Sequence, residues 1–143
     1  MQNNNFEIDG IAKVVRNLNA NLFDSYIASD IDEADRILHD TIIPSINPQS
    51  IAWGGSVTVE HFLPRIRAYG ESKTIIDTRE QGVPWPDLVE RRRQALLVDL
   101  FLTGTNAITE QGTLVNLDAT GNRVGGLTFG PRFVVVIAGR NKI

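Results

Sequence analysis

Polar side chains and glycines are concentrated in three short segments that follow predicted strands of this chain. The first is Gly54-Gly55-Ser56-Val57-Thr58, which lies between a predicted strand and a helical stretch. The N–H groups of Gly54 and Gly55, the hydroxyls of Ser56 and Thr58, and the positive end of a helix dipole are suited to binding phosphate or carboxylate. The alternative is that the glycines only make a tight turn in which Ser56 caps the helix.

The second segment, residues 103–112, leads from one predicted strand to the next and is dense in polar groups. Glu110 is a candidate general base, and Asn106 and Asn116 are candidate amides for orienting a ligand, provided that they converge on one cavity. The alternative is that Glu110 lies at the exposed tip of a hairpin, since the tripeptide that it begins favours turns.

The third segment, residues 119–123, opens a predicted helix and contains Arg123. The planar guanidinium of Arg123 could bind a carboxylate or a phosphate through two parallel hydrogen bonds, or it could form an internal ion pair with Asp118 or Glu110. Lys142, after the last predicted strand, would add positive charge at the same edge of the sheet. The residues expected to bind an anionic ligand are Gly54, Gly55, Ser56, Thr58, Gly104, Asn106, Asn116, Asp118, Gly121, Asn122, Arg123 and Lys142.

Other candidates for chemistry are weaker. His39 and His61 have no second histidine or carboxylate at a metal-ligand spacing, so no metal site is expected and both are predicted to be surface residues. The run Arg91–Arg93 is interpreted as a solvated helix face, or as a surface for an acidic partner protein. The chain contains no cysteine, which excludes disulfides, cysteine nucleophiles and iron–sulfur ligation by its own residues.

Two helices are predicted to precede the sheet. Apolar residues recur at three- and four-residue steps from Phe6 to Tyr26, which is helical periodicity. A second helix is predicted to open near Ser29 or Asp30, whose short polar side chains suit an N-cap, and to stop at Pro44.

The rest of the chain alternates short apolar runs with helical stretches, which is typical of βαβ units. Residues 133–138 form an uninterrupted apolar run, as expected for a strand that is covered on both faces. The predicted fold is therefore α/β, with three α/β/α layers, a mostly parallel central sheet, two preceding helices and a single domain over residues 1–143. Strands are predicted at 50–53, 73–77, 99–103, 113–117 and 133–138, and helices at 59–69, 86–98 and 121–129.

The composition narrows the classes of function. The formal net charge is −3 and the hydrophobic fraction is 42 %, which together favour a globular protein over one that binds nucleic acid or an anionic membrane. Neither a leader sequence nor a run of about 20 apolar residues is present, so a cytoplasmic location is expected.

Several ordered motifs resemble the LUD-type family, whose name refers to lactate utilisation. The motifs are AWGGSVT at 52–58, LTGTNAITEQGTLVNLD at 102–118, TGNRV at 120–124, GP at 130–131 and GRNKI at 139–143. The resemblance covers residues from about 30 to 143, and the motifs are specific as a set. It implies a fold related to ribose-phosphate isomerases, glucosamine-phosphate deaminases and CoA transferases.

The resemblance also implies a role in bacterial L-lactate oxidation beside iron–sulfur subunits. Family members usually continue past the GRNKI motif, often into a cysteine-bearing tail, so this chain is expected to lack a C-terminal portion of the domain. The related sugar-phosphate isomerases commonly carry an acidic residue at the position of Asn106, and an amide cannot accept a proton in the same way.

Three hypotheses of different classes follow. The first is a protein of lactate or related organic-acid metabolism that binds a small anion or an iron–sulfur redox partner and carries no cofactor of its own. The second is an enzyme acting on a sugar phosphate or a CoA thioester, with Glu110 as base or nucleophile. The third is a structural subunit that holds a partner through surfaces such as Arg91–Arg93. A homodimer is expected only because dimers are the commonest oligomers.

Overall fold

A four-stranded parallel sheet lies at the centre of the protein, with helices on both of its faces. The computed structural model describes residues 3–143, and side chains from residue 10 onward. The spatial order of the sheet is β2-β1-β3-β6, with parallel pairing throughout. The predicted three-layer α/β/α fold is confirmed. The strands are β1 (Ser50–Trp53), β2 (Thr74–Ile76), β3 (Leu100–Thr103), β4 (Ala107–Ile108), β5 (Leu114–Val115) and β6 (Phe133–Val136).

Seven α-helical segments occur in the described part of the chain. They are α1 (Asn3–Ala20), α2 (Ile31–Arg36), α3 (Ile43–Ile46), α4 (Val57–Glu60), α5 (Leu63–Ala68), α6 (Trp85–Gln94) and α7 (Asn122–Thr128). A π-helical turn, Ile37–Ile42, joins α2 to α3. Short 3-10 turns follow α5, α6 and β6 at Tyr69–Glu71, Ala95–Leu97 and Arg140–Lys142.

Alternation along the strands divides the core between the two faces of the sheet. Trp53 and Leu102 belong to a buried cluster with Phe62 and Ile66, from the segment that connects β1 to β2. Phe101 belongs to a second cluster on the opposite face, with Ala52, Ala95 and Val98. Burial on both faces explains why β1 and β3 are nearly continuous apolar runs.

The first predicted helix is shorter than its periodicity indicated. Helix α1 ends at Ala20, and Leu22 adopts a positive φ of 69° with its side chain 94 % exposed. Tyr26 is also exposed, so continuing the helix would bury no apolar face, which is the main source of helix stability in proteins.

The second predicted helix begins as expected but does not stop at Pro44. Asp30 is its N-cap, because the Asp30 carboxylate accepts a hydrogen bond from the Glu33 N–H at 2.8 Å. Pro44 lies in the first turn of α3, directly after the π turn. A proline has no N–H to donate and is tolerated in a first turn. The helix ends instead at Asn47, which adopts a left-handed φ of 46°.

Three further elements differ from their predicted form. The helix predicted over residues 59–69 is split into α4 and α5, since Pro64 cannot donate to the Glu60 carbonyl one turn earlier. The strand predicted at 113–117 is not part of the sheet, because β5 pairs antiparallel with β4 in a separate hairpin. The run 133–138 supplies an edge strand, β6, whose residues are half-buried or exposed rather than covered on both faces.

His39 is buried, contrary to the prediction that both histidines lie on the surface, whereas the His61 side chain is 43 % exposed. The π turn directs His39 into the packing between α2 and α5, where Nδ1 lies 3.1 Å from the Tyr69 hydroxyl and Nε2 lies 3.4 Å from Asp35. Burial lowers the pKa of His39, and the positive charge of Arg65 lowers it further against the opposing carboxylates.

The buried imidazole gives a prediction for stability against pH. The folded-state pKa of His39 lies below the ordinary value of 6.5, so the unfolded chain binds a proton more readily than the folded one. The free energy of unfolding should therefore fall as the pH drops from 7 through 6.5 toward 5, with a slope no steeper than about 1.4 kcal/mol per pH unit from one proton. Urea unfolding at a series of pH values would measure this dependence.

The matched variants are His39→Gln and His61→Gln. The first should flatten the dependence between pH 5 and 7, and the second should leave it as in the parent protein. A dependence that persists unchanged in His39→Gln would assign the proton to another group.

Candidate functional site

A crevice opens at the carboxyl ends of β1 and β3. These two strands are neighbours in the sheet, and the chain leaves them in opposite directions, from β1 toward β2 and from β3 toward β6. The chain runs from β1 to β2 through α4 and α5 on one face, and from β3 to β6 through α7 on the other. This point is a topological switch, and ligands of open α/β sheets bind there.

A cavity of about 140 Å³ lies in this crevice and is strongly basic. Three of its side chains are arginines, and Asp118 is the one carboxylate among its lining residues. Although the chain as a whole has a net charge of −3, the cavity thus has an excess of positive charge. The lining residues are Gly55, Thr78, Arg79, Arg92, Asp118, Thr120, Asn122 and Arg123.

Arg123, on the first turn of α7, is held by neutral oxygen atoms. Its Nη2 donates to the Asn106 side-chain oxygen at 2.7 Å and to the Leu117 carbonyl at 2.6 Å, and its Nη1 makes a longer contact of 3.5 Å with the Gly104 carbonyl. No carboxylate of the described residues forms an ion pair with it. The guanidinium is therefore fixed in position without a direct carboxylate partner, although the charge of Arg123 also acts on nearby Asp118, and such a guanidinium is suited to binding an anion.

Asp118 is already committed to α7. Its Oδ2 accepts hydrogen bonds from the backbone N–H groups of Arg123 at 2.7 Å and Val124 at 3.1 Å. Burial alone would raise the pKa of Asp118, but these N–H bonds, a further backbone hydrogen bond of Thr120 and the charge of Arg123 together hold the pKa below its ordinary value. Because the carboxylate occupies the first N–H groups of α7, an anion in the cavity would be bound by side chains rather than by the helix N-terminus.

Arg79 reaches the cavity from the end of β2. The Thr78 hydroxyl donates to the Trp53 carbonyl at 2.7 Å, which ties the segment after β2 to the end of β1. A Cβ added at Gly55 would lie 3.7 Å from the Arg79 side chain, so this arginine packs directly over the glycine loop. Arg79 also pairs with Glu60 at 3.3 Å, but both side chains are about half exposed. Water screens such a pair, which leaves the arginine available to a ligand.

Arg92 is the third cation of the cavity, and it comes from α6. Its guanidinium carbon lies 4.7 Å from the centroid of the Trp85 ring, in a cation–π arrangement. None of the ion pairs of the described residues involves Arg92, whereas its neighbour Arg91 is bound to Glu80. Within the basic run on α6, Arg91 therefore forms an internal ion pair, whereas Arg92 lines the cavity.

Glu110 does not lie in the cavity. It is on the turn between β4 and β5, with its side chain 63 % exposed and its Oε2 2.7 Å from the Lys13 ammonium of α1. That hydrogen bond, together with the charge of Lys13, lowers the pKa of Glu110. Asn17 of α1 also donates to the Glu110 carbonyl at 2.6 Å, so this turn is docked against the first helix.

The remaining predicted residues are spread around the same edge of the sheet. Gly54 makes room for the Arg123 side chain, because a Cβ there would lie 3.2 Å from it. Ser56 precedes α4 without capping it through its side chain. A Cβ on Gly104 would lie only 2.5 Å from the Ser56 hydroxyl, so the loops after β1 and β3 touch at this point. The predicted ligand residues that do not line the 140 Å³ cavity are Gly54, Ser56, Thr58, Gly104, Asn106, Asn116, Gly121 and Lys142.

Thr78, Arg79, Arg92 and Thr120 line the cavity, but they were not among the residues predicted to bind the ligand. The rule that ligand groups follow the carboxyl ends of strands applies to β2 as well, and it would have identified Thr78 and Arg79. Arg92 was noticed only as part of the run Arg91–Arg93, which was interpreted as a solvated face or a partner surface, because only the packing of α6 distinguishes it from the arginines on either side.

The described residues offer neither a metal site nor a membrane-spanning helix. No group of three histidine, aspartate or glutamate side chains there could hold a metal ion, and the absence of cysteine means that the residues of this chain do not fit an iron–sulfur cluster. None of the described helices is both long enough and apolar enough to cross a membrane.

Comparison with known proteins identifies the family. No curated protein and no solved structure gave a match. The family model of the LUD domain matches residues 11–143, which includes every element of the sheet and every residue of the cavity. The chain therefore belongs to the LUD domain family.

Proposed function

We propose that this domain binds a small organic or phosphorylated anion in the crevice between β1 and β3. The observation that carries the proposal is Arg123, whose guanidinium is anchored by neutral oxygens beside Arg79 and Arg92. An arginine whose guanidinium forms no ion pair with a carboxylate of the described residues, and which lies at a switch point, is suited to binding a carboxylate or phosphate through paired hydrogen bonds.

Binding is favoured over acid–base catalysis by the groups that line the cavity. Asp118 is the one carboxylate there, and its oxygen accepts the N–H groups of α7 with a pKa that is held low. A general base needs a pKa near the working pH and free access to the proton that it removes, and Asp118 has neither. The alternative enzyme hypothesis depends on Glu110, whose ion pair with Lys13 lies outside the cavity.

The lactate-utilisation role of the family makes L-lactate, pyruvate or a related organic acid the first ligands to test. Electron transfer from such an acid would need a partner, because this chain has no cysteine for an iron–sulfur cluster. We therefore propose that iron–sulfur subunits supply the redox centre in the cytoplasm, while this domain presents or senses the anion.

Thermal unfolding in the presence of candidate anions tests this function. The panel is lactate, pyruvate, phosphate, a sugar phosphate and CoA, with lactamide as the neutral analogue of lactate and sodium chloride as the control for ionic strength. A ligand at 100 times its dissociation constant stabilises the folded state by about 2.7 kcal/mol, which corresponds to a rise of roughly 5–10 °C in a protein of this size.

The expected result is a saturable rise with at least one carboxylate or phosphate and none with lactamide. If no anion in the panel raises the unfolding temperature beyond the effect of sodium chloride, the small-anion function is wrong. A subunit that acts only through protein partners would then be the better account.

A further inference from the structure

A second cavity of about 360 Å³ adjoins the basic one and lies between α6 and the start of α7. Its walls are mostly apolar and include Val89 of α6, Leu96 of the 3-10 turn that follows α6, and the side chains of Arg92 and Arg93. Arg92, Thr120 and Asn122 line both cavities, so the two volumes are immediate neighbours.

The volumes bear on the size of the ligand. Sites for small molecules commonly enclose about 300–1,000 Å³, and the basic cavity of about 140 Å³ is smaller than that range. The adjoining volume is more than twice as large and lacks any carboxylate among its lining residues. A ligand of the size of lactate would fill only the basic cavity and leave the apolar walls in contact with water.

We propose that the ligand is an organic acid that carries a bulky apolar side chain, with its carboxylate beside Arg123 and Arg92 and its side chain between α6 and α7. This inference rests on the proposed anion site and specifies the class of its ligand. Arg92 is positioned to contact both parts, since it lines both cavities.

Gly121 lines the apolar cavity and places no side chain in it. Gly121 has a φ of 81°, and a Cβ built on it meets no atom within 4 Å. The space above this residue is therefore open, and a side chain of the ligand can lie across the turn that begins α7.

Two pairs of compounds test the proposal, one that differs in the apolar ring and one that differs in the carboxylate. Calorimetric titration would compare pyruvate with phenylpyruvate, which adds a ring, and phenylpyruvate with phenylacetone, which lacks the carboxylate. Burial of the ring against Val89 and Leu96 should make phenylpyruvate bind at least about tenfold more tightly than pyruvate. Phenylacetone should bind more weakly than phenylpyruvate, because it has no group for the arginines.

Val89→Phe fills the apolar cavity and leaves the arginines in place. It should weaken the binding of phenylpyruvate by about tenfold and leave that of pyruvate unchanged. Val57→Phe is the matched control, since Val57 is an 84 % exposed valine on α4 that lies outside both cavities, and it should change neither affinity.

The outcomes separate this inference from the proposed function. If pyruvate or phosphate binds but phenylpyruvate binds no more tightly than pyruvate, the apolar subsite is wrong and the anion site stands. If Val89→Phe leaves the affinity for phenylpyruvate unchanged, the ring lies elsewhere and the subsite is again wrong. If none of the acids nor phosphate binds, the anion site itself fails.

Discussion

Replacing Arg123 by methionine should raise the dissociation constant of an anionic ligand by about 10- to 100-fold. A hydrogen bond to a charged group contributes roughly 1.5–3 kcal/mol, and methionine keeps the length of the side chain while removing the charge and every donor. Calorimetric titration with the acid or phosphate that gives the largest thermal stabilisation would measure the change. The dissociation constant of Arg123→Lys should lie between those of the parent protein and Arg123→Met, since lysine keeps the charge but lacks the planar guanidinium.

Arg16→Met is the matched control for this variant. Arg16 is an exposed arginine of α1 that lies outside the cavity, so its replacement removes the same charge from the protein at a different place. Because Arg123 also bridges Asn106 and Leu117, the unfolding temperature of each variant must be measured first. Arg92→Met provides a second test, since the Arg92 guanidinium stacks on Trp85 of its own helix and forms no ion pair with a loop among the described residues. Equal weakening by Arg16→Met and Arg123→Met would show that the binding depends on overall charge and not on the cavity.

Two adjacent glycines of α7 should respond to alanine in opposite directions. A Cβ on Gly126 would lie 2.9 Å from a ring carbon of Phe101, which is fully buried and has no room to move. Gly126→Ala should therefore lower the free energy of unfolding by about 1–3 kcal/mol. A Cβ on Gly125 would lie 3.7 Å from the Leu96 side chain, an ordinary contact, so Gly125→Ala should raise the free energy of unfolding by up to about 1 kcal/mol through helix propensity.

Chemical denaturation of the two variants and the parent protein would decide this prediction. Each variant is the control for the other, since both add one methyl group to the same helix. Gly126→Ala should also weaken anion binding, because any shift of α7 away from Phe101 displaces Arg123. Equal stabilities for the two variants would mean that α7 does not pack on the sheet as closely as the structure has it.

The central strands were predicted well from the sequence because strands that are buried on both faces are continuous apolar runs. Strand β1 is observed at the predicted bounds, and β3 differs by one residue. Both are covered on each face, so an uninterrupted apolar run is sufficient to identify them. The edge strand β6 has the same composition, yet it is half-exposed, because composition does not reveal which strand lies at the edge.

Helix bounds were harder to predict because they depend on contacts that lie far away in the sequence. The apolar periodicity of the first helix continues to Tyr26, but the helix ends at Ala20. Directly after it, the Asn21 side chain donates hydrogen bonds to the Gln111 and Gly112 carbonyls of the β4–β5 hairpin. Such a contact leaves no pattern in the local sequence. Pro64, by contrast, is a visible signal for the break between α4 and α5.

The predicted site residues were only partly brought together. Arg123, Asn122, Gly55 and Asp118 line one cavity, as expected for polar residues at the carboxyl edge of a parallel sheet. Glu110 is an equally polar residue of the same connection, but its turn is docked on α1. The residue types were enough to suggest an anion site. Only the tertiary packing shows which of the polar residues line the cavity and which lie on the β4–β5 hairpin.

The most direct test of the account is to follow the protein's amide and arginine NMR signals while the best-binding anion is added. The account predicts saturable shifts at Gly55, Asn122 and Arg123 and in the side chains of Arg79 and Arg92, with no comparable shift at Glu110 or Lys13. Shifts centred on Glu110 and the β4–β5 hairpin, or shifts that increase linearly without saturation at any of these residues, would contradict an anion site at the switch point.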